Sequence, residues 1–308
     1  MIDATKHKNI TLISYDSSYA GISFISNKFN NVILLKRERE DFDKMILNKI
    51  IHKEEPLKVN NILNNTTHLI IFGVMTLKIL TEKLFDINIL NNFKYCTLII
   101  SDSTFFRESK KWNSLIKKYN IEVLIMPDLL EFLDKDIPYR PYFQHIPINN
   151  ITLENKTSSV SISHSPGLKY KEDLKGTSII RKILKNYNLD IIYNETWENC
   201  IKRKSKSHFF IDQIQPKNHA FKYKGGLGKS SLEAMLTKCL TMTSAIELIC
   251  EPYFSNPPIV YIDEKNLLET INYYINNNNK YIKKVSEQYM WVKKYTSKEF
   301  VYKNILNL

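Results

Sequence analysis

Short apolar runs alternate along this chain with longer stretches in which apolar positions recur every three or four residues. Ile10–Ser14, Asn31–Lys36, His68–Gly73, Tyr95–Ser101 and Ile121–Pro127 read as buried strands. Ser18–Phe29, Asp41–Ile51, Met75–Phe85 and Glu108–Tyr119 read as the helices between them. Continuous rather than alternating apolar runs mean strands covered on both faces, and intervening helices mean parallel neighbours. Pro138, Pro141 and Pro147 then break the rhythm and predict a stiff, extended connector over residues 137–150.

The rhythm restarts after that connector. Val160–His164, Leu189–Tyr193, His208–Ile214, Leu240–Thr243 and Ile259–Ile262 read as strands. Leu174–Tyr187, Trp197–Lys206, the segment from Gly228 to Lys238, and Leu267–Asn276 read as helices. One or two further helices follow over Lys280–Leu308, and the run of four Asn at 276–279 predicts the break before them. The expected fold is α/β, with two Rossmann-like domains, residues 1–145 and 146–290, facing across a cleft. Ligands bind such sheets at the carboxyl ends of the strands, which makes the cleft the natural active site.

Composition narrows this little. The 308 residues are 43% apolar, as in a folded globular protein. Net charge is +12, of which residues 1–150 contribute +3 and residues 151–308 contribute +9. A basic balance favours nucleic acid, anionic membrane surfaces or phosphorylated ligands. The abundance of Asn, Ile, Lys and Tyr, expected of A/T-rich codon usage, accounts for the charge equally well. Cys96, Cys200, Cys239 and Cys250 form no CxxC pair, so they read as free thiols rather than a disulfide framework or a zinc site. The opening Met-Ile-Asp-Ala-Thr-Lys lacks the signal-peptide pattern, and no apolar run approaches membrane-spanning length. A cytoplasmic protein with no transmembrane segment is expected.

Candidate chemistry gathers in the second half. Gly225, Gly226 and Gly228 are three of only seven glycines, and they precede a predicted helix carrying Lys229, Ser230, Ser231 and Glu233. The spacing fits neither the P-loop nor Gly-x-Gly-x-x-Gly. What remains is a glycine turn at a helix start, where exposed N–H groups attract anions. Glu233 can take the vicinal hydroxyls of a ribose, or it can be a plain capping carboxylate. A second group, His164-Ser165-Pro166-Gly167 with Lys169, Lys171 and Lys175-Gly176-Thr177, spans a strand end and a helix start. Lysines so placed suit a diphosphate, although a solvated loop has the same composition. In the first half, Ser17-Ser18-Tyr19-Ala20-Gly21 follows the first strand. Asp16 and Asp102 end strands and can serve as the base for an acceptor hydroxyl or as turn residues. His145 lies in the connector, within reach of a cleft.

The order of these pieces resembles a known family. His164-Ser165-Pro166, Lys175-Gly176-Thr177, Tyr193-Asn194-Glu195, Phe209-Phe210-Ile211-Asp212-Gln213 and Gly226-Leu227-Gly228-Lys229-Ser230-Ser231-Leu232-Glu233-Ala234-Met235 are similar to the donor domain of GT-B glycosyltransferases, in the retaining family four. The resemblance covers about residues 155–265. It implies a nucleotide-diphosphate sugar, such as a UDP-sugar, as donor substrate, with no separate cofactor and no metal. It also implies donor contacts from His164, Lys169, Lys171, Lys175, Gly176, Gly226, Leu227, Gly228, Ser230, Ser231 and Glu233. Lys175 would meet the diphosphate, and Glu233 the ribose. It implies a terminal helix, residues 291–308 with Trp291 and Tyr295, packing back on the first domain. Two positions depart from the family. Gly225 stands where a second glutamate is usual, and Lys169 and Lys171 stand where an arginine is common. The acceptor stays open between a hydroxymethylated base in viral DNA and a surface glycan or lipid-linked sugar. A non-catalytic nucleic-acid-binding protein on a degenerate transferase fold is the third reading.

Overall fold

A computed structural model describes residues 9–15, 29–35, 49–51, 55–101, 104–147, 153–166, 173, 175–214, 227–244 and 250–306. The chain divides into two compact units. Unit 1 holds Met1–His145 with Lys298–Leu308, and unit 2 holds Ile146–Ser297.

Unit 1 is built on strands β1 (Ile10–Ser14), β2 (Asn31–Leu34), β3 (Lys49–Ile51), β4 (His68–Phe72), β5 (Tyr95–Ile100), β6 (Glu122–Ile125) and β7 (Tyr139–Pro141). They form one sheet in the order β3-β2-β1-β4-β5-β6-β7, and every pairing is parallel. Its helices include α1 (Pro56–Asn65), α2 (Val74–Ile79) and α3 (Ser109–Lys118). Strand interiors such as Leu12, Ile13, Ile33, Ile70 and Ile71 are fully buried, as two covered faces require.

Two expectations change here. Lys49–Ile51 lies at the end of a stretch read as a helix but forms strand β3, with Ile50 opposite Ile33 and Ile51 opposite Leu34. Residues 41–48 of that predicted helix lie outside the described residues. Within the proline-rich connector, Tyr139–Pro141 pairs with β6 as the outermost strand. Pro141 is tolerated there because an edge position does not need its missing N–H.

Unit 2 carries β8 (Ser161–His164), α4 (Thr177–Ile183), β9 (Asn188–Ile191), α5 (Trp197–Lys206), β10 (Phe209–Ile211), α6 (Lys229–Leu236), β11 (Leu240–Thr243), β12 (Val260–Tyr261), α7 (Leu267–Asn276) and α8 (Asn278–Tyr295). The sheet order is β12-β11-β10-β8-β9, again all parallel. One face packs Ile162, Phe209, Ile211 and Met242 against Ile180 of α4 and Ile271 of α7. Phe210 faces the opposite way, with Ala234 of α6. The strand order reverses between β8 and β10, and ligands of doubly wound sheets bind at the carboxyl ends of the strands at such a switch point.

The last helix, α9 (Lys298–Leu306), returns to unit 1. Val301, Ile305 and Leu306 join Ile10, Leu12, Ile70 and Phe72 in one core. Asn304 donates to the Pro141 carbonyl at 2.8 Å, and Arg140 donates to the Asn304 carbonyl. The returning segment is shorter than the sequence implied. Trp291 and Tyr295 belong to α8 and pack on unit 2, where Trp291 Nε1 donates to the Ser255 carbonyl at 2.8 Å and Tyr295 stacks on Phe254. The break between α7 and α8 falls at Asn277, inside the predicted Asn run.

Candidate active site

Two groups of polar side chains lie in unit 2, and β10 links them. The first sits at the switch point. Lys175 Nζ forms an ion pair with Asp212, one residue past β10, at 2.6 Å, and the Asp212 side chain is 3% exposed. The Lys175 carbonyl accepts from Ile214 N at 3.0 Å. Between these contacts Gly176 takes a left-handed conformation, φ +67°, as the residue before α4. A Cβ there would lie 1.8 Å from the Ile214 carbonyl oxygen, so this position accepts only glycine. The tight turn is what brings the ammonium over the end of β10.

His164 is fully buried at the end of β8. Its Nδ1 donates to the Ile211 carbonyl at 2.7 Å, since a carbonyl can only accept. Its Nε2 then accepts from the Thr177 hydroxyl at 2.8 Å. Both nitrogens are thus occupied by protein, and His164 ties β8 to β10 and α4. Burial pushes its pKa down from 6.5 to about 4. A base whose folded value lies below its unfolded value contributes stability above about pH 6.5 and loses it as pH falls toward 4, here by about 3 kcal/mol. Urea denaturation at pH 7 and pH 4.5 measures this. His164→Gln should show a distinctly flatter dependence, and equal slopes would remove His164 as the cause.

The amino end of α4 is already filled. Asp173 accepts from Thr177 N at 2.6 Å and from Ser178 N at 2.7 Å. These N–H groups therefore serve an internal cap. Hydrogen bonds from Ser178 and Thr177 outweigh the opposing effect of burial and hold the Asp173 carboxyl below the usual carboxylate range.

The second group joins α5 to α6. Glu233 Oε2 accepts from Lys204 Nζ at 2.5 Å, and Oε1 accepts from Trp197 Nε1 at 2.8 Å. Lys204 also donates to the Ser230 hydroxyl at 2.9 Å, and its ammonium lies 5.2 Å from the centre of the Phe210 ring. Lys204 is 1% exposed and Glu233 4%. Burial alone would raise the Glu233 pKa. The Lys204 and Lys229 ammoniums and the hydrogen bonds from Lys204 and Trp197 reverse that and hold it down. Glu233 lies in the second turn of α6 and caps nothing, so the capping alternative fails. Phe210 in β10 and Asp212 just past its end tie the two groups together.

Gly228 precedes α6 with φ −71°, and a Cβ there would meet nothing within 4 Å. Among the described residues nothing crowds its backbone, and no left-handed turn demands a glycine. Leu227 is buried in the core, whereas Ser231 is fully buried with a hydroxyl that has no hydrogen-bond partner among the described residues. Asp16, Asp102, Lys169, Lys171, Gly226 and the Ser17–Gly21 loop lie outside the described residues. His145 ends unit 1, half-buried. Sequence reasoning missed Lys204, Trp197, Asp212 and Asp173 as members of these groups. A signal for two of them existed: Trp197, Ile201 and Lys204 recur at helical spacing on α5, which places a lysine on its buried stripe.

Among the described residues, no three His, Cys, Asp or Glu side chains cluster to hold a metal, and no helix is long and apolar enough to cross a membrane. Cys96, Cys239 and Cys250 are buried free thiols, and Cys200 is half-buried.

No family model matches the chain, and no curated protein matches it. Solved structures do. Anabaena HepE in complex with UDP and glucose is 11% identical, with 97% of this chain and 99% of that one covered at a TM-score of 0.64. A glycosyltransferase from Rickettsia africae ESF-5 is 15% identical, with 97% and 99% covered at 0.61. An alpha-glucosyltransferase in complex with UDP and a 13-mer DNA containing an HMU base is 14% identical, with 97% and 98% covered at 0.55. Against the longer TarM, the chain covers 54% of that protein's length. The fold is therefore that of the GT-B glycosyltransferases. At these identities the likeness establishes architecture and not substrate.

Proposed function

We propose that this protein is a glycosyltransferase that moves a sugar from a nucleotide-diphosphate sugar to a hydroxyl acceptor. The observation that carries the reading is the pairing of Lys175 with Asp212 at the switch point of unit 2, fixed by the Gly176 turn. A lysine has three N–H donors, so two remain for phosphate oxygens beyond the one given to Asp212. In the reaction the acceptor oxygen bonds the anomeric carbon while the bond to the diphosphate breaks. The acceptor proton passes to a base, for which Asp16 and Asp102 are the candidates. Lys175 stabilises the negative charge on the departing diphosphate without a metal. The Glu233-Ala234-Met235 segment supports kinship with family four.

For the acceptor we favour a hydroxymethylated base in DNA. The support is a net charge of +12 and a neighbour of the same fold bound to DNA containing an HMU base. A glycan or lipid-linked acceptor is the second reading. It is favoured by the concentration of positive charge in residues 151–308, since a DNA acceptor should also engage the first unit. Incubation with labelled UDP-sugars and DNA containing hydroxymethylated cytosine, beside glycan acceptors, separates the two. Labelled glycan with unlabelled DNA would overturn the first reading.

The donor site has its own test. UDP or GDP should raise the melting temperature by linkage, by about 2.7 kcal/mol of stability at a hundredfold excess over Kd. Lys175→Ala should weaken binding by about tenfold to a hundredfold, the loss of one charge-assisted hydrogen bond. An unchanged Kd in a folded Lys175→Ala protein would remove the site from this switch point.

A further inference from the structure

The solvent side of α7 carries two rows of side chains to which the donor reading gives no task. Lys265, Glu269, Tyr273 and Asn277 stand four positions apart, and so do Leu268 and Asn272. Positions four apart stack on one face of a helix, so the rows run side by side, away from the buried Leu267 and Ile271. They line an open groove of about 650 Å³, within the range of about 300–1,000 Å³ that small-ligand sites occupy. Tyr273 is 47% exposed there and Leu268 41%. An edge contact with Tyr274, ring centres 5.2 Å apart at 80°, sets the plane of the Tyr273 ring. The amides beside that ring are already oriented. Asn272 Oδ1 accepts from the Tyr187 hydroxyl at 2.6 Å, which leaves its NH2 as a donor. Asn277 Nδ2 donates to the Tyr273 carbonyl at 2.8 Å, which leaves its Oδ1 as an acceptor. Lys265 and Glu269 join no ion pair among the described residues, and their charges cancel.

We propose that this groove binds a neutral oligosaccharide. A sugar ring has an apolar C–H face and a rim of hydroxyls, each of them both donor and acceptor. Tyr273 and Leu268 take the C–H face, because the negative face of an aromatic ring attracts weakly positive hydrogens. The Asn272 NH2, the Asn277 Oδ1 and the Glu269 carboxylate take hydroxyls on the rim. Charge selects a neutral ligand. Although residues 151–308 carry +9, Lys265 and Glu269 sum to zero, and the carboxylate repels a phosphate backbone. The groove shares no residue with the Lys175–Asp212 or Lys204–Glu233 groups. The inference goes beyond the donor reading and stands without it: a sugar chain is held on the solvent side of α7, not transformed there.

The test titrates the full chain with maltohexaose, cellohexaose, chitohexaose and mannohexaose by calorimetry, beside a single-stranded hexanucleotide. At least one hexasaccharide should bind. Tyr273→Ala should weaken that binding by about tenfold or more, the loss of one aromatic contact, whereas Tyr273→Phe keeps the ring and most of the affinity. Asn272→Ala should cost about threefold to tenfold, the net worth of one hydrogen bond. Both side chains lie on the surface, so the variants should melt with the wild type, and UDP should bind all of them equally. Three results overturn the proposal: no hexasaccharide binds the wild type, Tyr273→Ala binds it as the wild type does, or the hexanucleotide binds more tightly and through Tyr273. The last would assign the ring to a nucleobase instead. Failure of UDP to bind removes the donor reading and leaves the sugar titration to decide this one.

Discussion

Gly176→Ala is expected to cost about 3–5 kcal/mol of stability and to disable the donor site. An alanine at φ +67° carries an intrinsic penalty of about 1 kcal/mol. The larger part is steric. The new Cβ would lie 1.8 Å from the Ile214 carbonyl oxygen and 2.9 Å from its carbon, and both are backbone atoms that cannot rotate away. The turn must lift from the end of β10. That breaks the Ile214 N–H bond to the Lys175 carbonyl and carries the Lys175 ammonium off Asp212, leaving a buried carboxylate without its counter-charge. Gly228→Ala is the control. With φ −71° and nothing within 4 Å of the added carbon, it should change stability by no more than about 0.5 kcal/mol. Urea denaturation of both variants decides the matter: a loss below about 1 kcal/mol at Gly176 would mean that the turn relaxes freely.

Lys204→Met should be nearly as damaging on its own, about 3–5 kcal/mol, because it strands the Glu233 carboxylate in a buried setting. Burial, no longer opposed by the Lys204 ammonium, would then act to raise the pKa of this carboxyl. In the wild type the sign is the reverse. A depressed folded value contributes stability above the unfolded carboxylate range and loses it as pH falls through the folded value. Lys204→Met combined with Glu233→Leu removes both charges and should recover most of the loss. A double-mutant cycle from denaturation curves measures the coupling. If the double variant is no more stable than Lys204→Met, the pair is not the source of the effect.

Several elements were legible in the chain alone. Trp197–Lys206, Leu240–Thr243 and Leu267–Asn276 have the boundaries that their apolar periodicity predicts. Elsewhere local pattern was overruled. Lys49–Ile51 continues a helical spacing but completes the edge of a sheet whose other strands come from distant sequence. His164 sits in a run that suggests ligand binding, but its two nitrogens are spent on Ile211 and Thr177. Asp173 and Lys204 lie in polar stretches of the sequence. One caps α4, and the other is among the largest fully buried side chains of the molecule.

By itself the sequence determined the α/β class and the two parallel sheets with their intervening helices. These follow from periodicity, prolines and glycines, properties that act over a few residues. Only the tertiary structure decided which polar groups face one another. The Lys175–Asp212 and Lys204–Glu233 pairs join residues 37 and 29 positions apart. Their partners are selected by how α4, α5 and α6 pack on β10, and burial forces each charge to find an opposite one. A linear pattern carries the charges but not that choice.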